Sequence, residues 1–495
     1  MRTTLRRSCN ACARAKHSCD LRTPRCSRCI KRNVNCVYAN EPLTSPSESS
    51  PPPSGSNVNG QLLSRNGSSA SSAAAWNSRP PTSVSPGSIT ARLASSPDSA
   101  FDPFDSYPPT RLPRPLAQRL IQHFLSSVAF QYYPLDMNMT SNPFVVSWWP
   151  LALADPALFH VSLQTASLDE ERRARKGFPV SELLMMDSVT LLRRSVEDSS
   201  SAFRTETLNS VVTLAAIEHG KGNVEASRMH IEGAKQMVKV RGGIAEIKRV
   251  NPLTARMVCW VALLVTGSPQ FPVQDDSGLG NGVAPTAQWQ LASTSANFTE
   301  RIPGYLDVDS RITDILTRLR AIFHPPGAQA LSNTEIHDLT CFIVHRLLLI
   351  PPLSSHPEAS AVSECLRLGM VLHMLVIHGT TYYSHMDLAH AAASPLMDQI
   401  EVLSTMPHLY GPLRVWALSL GLVSTMGHLH QRFSDQAQMT IASLGLTTWD
   451  SITTQMKTVL WIETEEVEHF RLAWIDVLEG IATPDTFNLN LNAGT

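Results

Sequence analysis

Long apolar runs are missing from this sequence. The longest, such as residues 258–265 and 415–423, fall well short of the ~20 residues that cross a bilayer. Residues 1–7 carry charge with no apolar stretch behind it, so no secretory leader is expected. The expectation is a soluble intracellular chain, in which thiols stay reduced. The local signatures of common catalysis are missing as well. There is no G-x-x-x-x-G-K-[ST] phosphate loop, no G-x-G-x-x-G after a strand, no H-E-x-x-H and no G-x-S-x-G. P-loop phosphate chemistry, dinucleotide binding, helical zinc-protease chemistry and a serine-hydrolase elbow are therefore not expected, and an enzyme is not expected. Alternating β-rich stretches are nearly absent, and no heptad repeat runs between residues 37 and 111.

What is present is unevenly spread. The 495 residues are 43% hydrophobic and 17% charged, with 34 prolines, which leaves room for roughly three domains of ~100–200 residues each. The net charge of −1 says nothing about partners, but its distribution does. Residues 1–40 hold ten of the 41 basic side chains and one of the 42 acids, Asp20, a surplus of nine. The remainder carries an excess of ten acids. A basic head on an acidic body is the asymmetry expected when one end meets nucleic acid.

The nine cysteines are not scattered. Cys9, Cys12, Cys19, Cys26, Cys29 and Cys36 read C-x2-C-x6-C-x6-C-x2-C-x6-C, and adding seventeen to the first three positions gives the last three. This is an internal repeat of two equal halves, each a close pair plus a third cysteine. Zinc takes four ligands in a tetrahedron, so three thiolates per half leave each ion one short. Two ions and six cysteines close only if two sulfurs bridge both metals. A three-disulfide framework and a single-zinc ribbon on Cys9, Cys12, Cys26 and Cys29 are the other readings of the spacing. About forty residues bury too little apolar surface to fold alone, so bound metal must supply stability.

The head resembles the fungal binuclear zinc-cluster transcription factors over about residues 8–38. The likeness rests on the six cysteines, on Lys16 three positions before Cys19, on Asp20 after it, and on Pro24 in the loop between the halves. The resemblance implies two zinc ions bridged by Cys9 and Cys26, with Cys12 and Cys19 completing one tetrahedron and Cys29 and Cys36 the other. It also implies a short helix after Cys9, residues 10–16, that carries Lys16 to the base edges of a CGG triplet in the major groove. Guanine offers N7 and O6 as adjacent acceptors there, and lysine or arginine is the usual donor. Arg14, His17, Arg22, Arg25, Arg28, Lys31 and Arg32 are the expected phosphate contacts, which give affinity and register. The sequence departs from the family at Ala13, Ala15 and Ser18, where basic residues are common.

Residues 41–110 read as a tether. Ser, Pro and Gly supply 35 of these 70 residues, and no apolar period is present, so the segment is expected to be disordered. Ser45, Ser50, Ser85 and Ser96 each precede a proline; plain Ser/Pro richness is the simpler account than phosphorylation. A homodimer is left open, with no coiled coil evident to form it.

From Arg111 the pattern becomes amphipathic and helical. Leu116, Leu120, Phe124 and Val128 recur every four residues. Thr205 is expected to cap a helix to about Glu218, and Asn223 the next, with Val224, Ile231, Ala234 and Val238 as its stripe. Asn251-Pro252 starts a further helix that ends at Gly267. Others are expected near 310–323, 334–349, 358–377, 395–405, 412–430 and 449–478. The fold class is therefore all-α: a small zinc-nucleated DNA-binding module (1–40), a disordered linker (41–110) and a large helical array (111–495). His230, Gly233, Ala234 and Arg241-Gly242-Gly243 resemble the H-x-x-G-A … R-G-G pattern of the fungal-specific transcription factor regulatory domain. His373, His378, His428 and His430 lack helical metal-pair spacing and read as ordinary buried or surface rings. Cys259, Cys341 and Cys365 read as small core residues. Glu463, Glu465, Glu466 and Glu468, with Trp461, Val467 and Phe470, read as a solvated helix face before an activating surface.

The expected function is a zinc-dependent, sequence-specific DNA-binding regulator of RNA polymerase II genes in a nucleus, with double-stranded DNA and co-regulators as partners. Control of metabolic or specialised-metabolite genes is what the resemblance implies. A zinc-cluster interaction protein without its own DNA specificity is the alternative, and an enzyme fused to a zinc head is disfavoured by the missing motifs.

Overall fold

The computed structural model describes residues 9–15, 17, 19, 26–36, 107–131, 138–175, 177–295, 308–323, 331–351, 357–379, 381–405, 409–462 and 467–481. The chain separates into two units, Met1–Asp102 and Pro103–Thr495. Residues 41–106 of the expected tether, with Ser45, Ser50, Ser85 and Ser96, lie outside the described residues.

Among the described residues the first unit has two short helices, α1 (Asn10–Arg14) and α2 (Ser27–Arg32). Each begins directly after the first cysteine of a C-x2-C pair. Cys26 is the N-cap of α2, and its sulfur accepts the backbone N–H of Cys29. Asn33 ends α2 in the left-handed conformation that asparagine tolerates, with its N–H turned back to the last carbonyls. The core of this unit is sulfur: Cys9, Cys12, Cys26, Cys29 and Cys36 are buried, with Ala11 and Cys19 packed against them.

The second unit is helical. Its elements are α3 (Arg114–His123), α4 (Trp149–Ala154), α5 (Pro156–Ala174), α6 (Pro179–Glu197), α7 (Thr205–Gly220), α8 (Val224–Val240), α9 (Ile244–Val250) and α10 (Pro252–Thr266). They continue with α11 (Ala287–Ser295), α12 (Ser310–Phe323), α13 (Asn333–Leu349), α14 (Pro357–His378) and α15 (Met386–Ser404). The last are α16 (Gly411–Ser424), α17 (Gly427–Leu444), α18 (Trp449–Lys457) and α19 (Val467–Ile481). Among the described residues there is no strand, only an isolated bridge between Val273 and Val283.

Burial divides these helices into two kinds. Helices α5, α7, α10, α14 and α16 are buried on nearly every face and form the centre. Amphipathic helices such as α3, α8 and α12 bury one stripe against them. The four-residue stripe of α3 holds: Leu120, Phe124 and Val128 are buried and Leu116 is half-buried. The helix passes through a π-helical turn, Phe124–Val128, whose wider winding keeps Phe124 and Val128 on one face. Asn251 caps α10 by accepting the Thr254 N–H, and Gly267 ends it at φ 68°.

Several expectations need correction. Thr205 does not cap α7; it is the first helical residue, and its Oγ1 accepts from Arg241 Nη2 at 3.2 Å. Asn223 occupies the N-cap position of α8 as expected, but its side chain makes no capping bond; its Nδ2 donates to Glu218 at 2.6 Å instead. Val224 is exposed, so the α8 stripe starts at Ser227 and runs through Ile231, Ala234 and Val238. The helix expected at 395–405 begins at Met386 and carries Pro395 inside it. The helix expected over 412–430 breaks at Thr425 and Met426, which are extended. That over 449–478 is two helices, α18 and α19, with residues 463–466 outside the described residues. Finally, Ser360–His378 of α14 is long and apolar enough to cross a membrane, although no uninterrupted run is. Glu364 and Arg367 interrupt it, and they pair at 2.6 Å while buried. The helix packs on α13, α15 and α16 as the centre of the array.

Candidate metal centre and nucleic-acid interface

The head brings six sulfurs into two overlapping sets. Cys9, Cys12, Cys19 and Cys26 have their sulfurs within 4.8 Å of one another, and so do Cys9, Cys26, Cys29 and Cys36. Cys9 and Cys26 belong to both. Individual separations are 3.8 Å for Cys9–Cys26, 3.6 Å for Cys9–Cys29 and 3.7 Å for Cys12–Cys26. A zinc tetrahedron with Zn–S bonds of ~2.3 Å has an edge of about 3.8 Å, so the sulfurs are spaced as two tetrahedra sharing an edge.

The helices single out the shared pair. The Cys12 N–H donates to Cys9 Sγ at 3.4 Å, and the Cys29 N–H donates to Cys26 Sγ at 3.4 Å. The Cys12 N–H is the main reason the Cys9 thiol falls to about 6, and the Cys29 N–H likewise lowers Cys26. Burial instead pushes Cys12 up to about 12, and pushes Cys29 and Cys36 up as well. Anionic sulfur is thus stabilised at the two positions common to both sets. A metal must displace the protons from the others, which makes binding pH-dependent.

The expected DNA-facing residues fall in two groups. Arg14 ends α1 and is exposed, as are His17 just beyond it and Lys31 and Arg32 at the end of α2; Arg28 is half-buried. Helix α1 stops at Arg14, with Ala15 in a turn, so it is shorter than the expected 10–16. Lys16, Arg22, Arg25, Ser18, Asp20 and Pro24 lie outside the described residues.

The six sulfurs fit zinc, and Arg14, Lys31 and Arg32 are exposed at the ends of the two short helices. Comparison with known families finds one match in the head and one in the body. The fungal Zn(2)-Cys(6) binuclear cluster domain matches residues 7–45, and the fungal specific transcription factor domain matches residues 119–270. This chain carries both domains of a fungal transcription regulator. It is a DNA-binding, zinc-binding regulator whose cysteine cluster holds two zinc ions. No curated protein and no solved structure matches it.

The matched body segment ends at residue 270, while the regulator's helices continue to Ile481. The residues of the second motif lie on α8 and in the turn from α8 to α9. Ala234 is buried and His230 half-buried; Arg241 reaches back to Thr205. Gly243 sits at φ 97° with its N–H on the Val238 carbonyl, 2.9 Å away, a left-handed ending that favours glycine. In the acidic region Glu463, Glu465 and Glu466 lie outside the described residues, and Glu468 pairs with Arg471 at 2.8 Å on the surface. Trp461 and Phe470 are buried with ring centroids 5.4 Å apart, so they belong to the core. His428 is exposed and His430 half-buried, while His373 and His378 are buried. Sequence reasoning missed His337, which faces His378 from another helix; no local spacing signals such a pair.

Proposed function

We propose that the regulator reads CGG-like triplets through the major groove, with Lys16 at the end of the α1 segment as the base-contacting residue. Arg14, His17, Arg22, Arg25, Arg28, Lys31 and Arg32 hold phosphates on either side. Cys9 and Cys26 bridge the two zincs, Cys12 and Cys19 complete the first tetrahedron, and Cys29 and Cys36 the second. The working division of the chain is a head of residues 1–40, a linker of 41–110 and a regulatory body of 111–495. The protein acts in the nucleus on RNA polymerase II genes, metabolic genes among them, with its body contacting co-regulators.

The observation that supports this reading is the shared-edge sulfur geometry bordered by exposed Arg14, His17, Lys31 and Arg32. Such a centre fixes two short helices rigidly and gives a small, cationic, metal-dependent surface. The alternative, a zinc module without sequence preference, draws on Ala13, Ala15 and Ser18.

The test is selection from a random duplex library with the full zinc-loaded chain, the chelated chain and Lys16→Ala. The proposal expects a CGG-containing site enriched only with zinc and relaxed by the substitution, each phosphate contact steepening the salt dependence by about one unit. Salt-sensitive binding with no enriched site, unchanged by Lys16→Ala, would favour the alternative.

A further inference from the structure

We propose that Arg414 anchors an anion site in the helical body, taking the carboxylate or phosphate group of a free small molecule between α16 and α17. The two helices run antiparallel there, with Gly411 beside Leu444 and Gly421 beside Phe433. Arg414 is 3% exposed, and its Nη2 donates to Thr440 Oγ1 at 2.6 Å. Its Nε and Nη1 are buried and meet no acceptor. Thr440 is neutral and fully buried, so among the described residues no opposite charge reaches the guanidinium.

Other arginines of low exposure are built differently. Arg256 lies on Asp338 at 2.7 Å, Arg318 on Asp314 at 3.0 Å and Arg367 on Glu364 at 2.6 Å. In each pair a carboxylate offsets the cost of burying the cation. Arg414 keeps that cost, and burial lowers its pKa from the ordinary arginine value with no acid to counter it. Its place in α16 adds to the imbalance. It is the fourth residue of the helix, whose N-cap, Tyr410, makes no side-chain capping bond, so the positive end of the helix dipole lies beside the guanidinium. Both effects disfavour the cation alone and favour an anion next to it.

The free donors define the anion. A guanidinium has two edges of paired N–H groups, Nε with Nη2 and Nη1 with Nη2. Thr440 takes one Nη2 hydrogen, so one complete edge stays open whichever hydrogen that is. Such an edge matches the two oxygens of a carboxylate or a phosphate, whereas chloride offers only a single centre. The guanidinium lies close under the surface: Met439, next to Thr440, is 62% exposed, and Leu409, just before α16, is 61% exposed. The site lies beyond residue 270, where the matched regulatory segment ends, and is independent of the DNA reading.

The experiment titrates the full zinc-loaded chain at neutral pH with inorganic phosphate and, separately, with sodium acetate, chloride holding the ionic strength constant. The thermal midpoint of the helical signal should rise by a few degrees and saturate with at least one of the two. The Nε–H resonance of Arg414 in arginine-labelled protein should move with the same concentration dependence. A response to phosphate alone assigns a phosphate-bearing ligand, one to acetate alone a carboxylate, and one to both the shared two-oxygen group. Arg414→Lys keeps the charge but not the planar edge, and should bind about tenfold more weakly. Arg414→Met supplies a change of sign. In chloride it should melt at or above the wild-type midpoint, having lost an unpaired buried cation, and in saturating oxyanion below it. A wild-type midpoint that neither anion raises above the chloride control, or a rise that Arg414→Met shows equally, would overturn the proposal. The wild-type titrations need no substitution, so a poorly folded variant cannot hide the answer.

Discussion

His337 Nδ1 lies 2.9 Å from His378 Nε2, within hydrogen-bond distance, and both rings are buried. The Trp260 indole stacks on His378 at 4.5 Å and meets His337 edge-on at 5.4 Å. Burial, helped by nearby Arg256, holds His337 down at about 3; burial and the two neighbouring histidines hold His378 well below its ordinary value. His385, 6.2 Å from His378, is lowered by burial too. These rings stay neutral in the fold but gain protons in the unfolded chain below pH 6.5, so their contribution is intact above 6.5 and falls as the pH drops. His345 shifts upward beside Cys341 and opposes the trend by one proton.

The prediction is an acid limb in the stability of the helical body. Each neutral ring should remove about 1 kcal/mol per pH unit below 6.5. Helical circular dichroism, read against temperature from pH 8 to 4, reports the body, where nearly all the helix among the described residues lies. His378→Leu should flatten the limb; a variant with an unchanged slope would show that the pair does not titrate this way.

Helices α14 and α16 meet at a glycine for a steric reason. A Cβ on Gly369 would stand 2.4 Å from Trp416 Cζ3, inside a closed core. Gly369→Ala should therefore cost about 2–3 kcal/mol through overpacking. Trp416→Phe opens space at the same point, so the double variant should be more stable than the sum of the single losses predicts. Strict additivity in urea unfolding would mean that the helices relax around the new methyl group.

Asp276 organises two guanidinium groups on one indole. Arg318 and Arg346 lie 5.0 and 5.3 Å from the Trp289 ring centre. Asp276 accepts from both arginines and from Trp289 Nε1 at 2.8 Å. Asp276→Ala leaves two cations over one ring, and should cost about 2 kcal/mol, less than a fully buried pair because the carboxylate is partly exposed. Asp276→Asn keeps an acceptor for the indole and should fall between. Urea unfolding that moves by less than about 0.5 kcal/mol would assign Asp276 to the solvated surface.

What the sequence disclosed follows from the range of the interactions. The cysteine ligands lie within 28 residues, so their spacing alone carries the cluster. One-sided helices were legible as well: Leu120, Phe124 and Val128 on α3, and Ile231, Ala234 and Val238 on α8. The central helix α5 was not, because Ser162, Gln164, Thr165, Ser167 and Asp169 are buried along with its apolar residues and erase the stripe. Trp148 Nε1 donates to Ser162 at 2.9 Å there, a contact that makes a core position polar. Pro395 inside α15 moved an apparent start nine residues along the chain. His337–His378 is a pair made by tertiary packing, and neither residue carries a local mark.

The shared edge of the sulfur cluster makes a prediction in whole numbers of ions. Because Cys9 and Cys26 belong to both sets, Cys26→Ser removes a ligand from each tetrahedron and should leave no stably bound zinc. Cys12→Ser and Cys36→Ser each touch one set, and should retain one of the two ions after gel filtration. Chelation should remove both and abolish DNA binding while the body keeps its helical signal, since the head folds around metal and the body around its own core. One zinc retained by Cys26→Ser would mean that the ions do not share that sulfur, and the paired N–H donation to Cys9 and Cys26 would then serve the short helices rather than the metals.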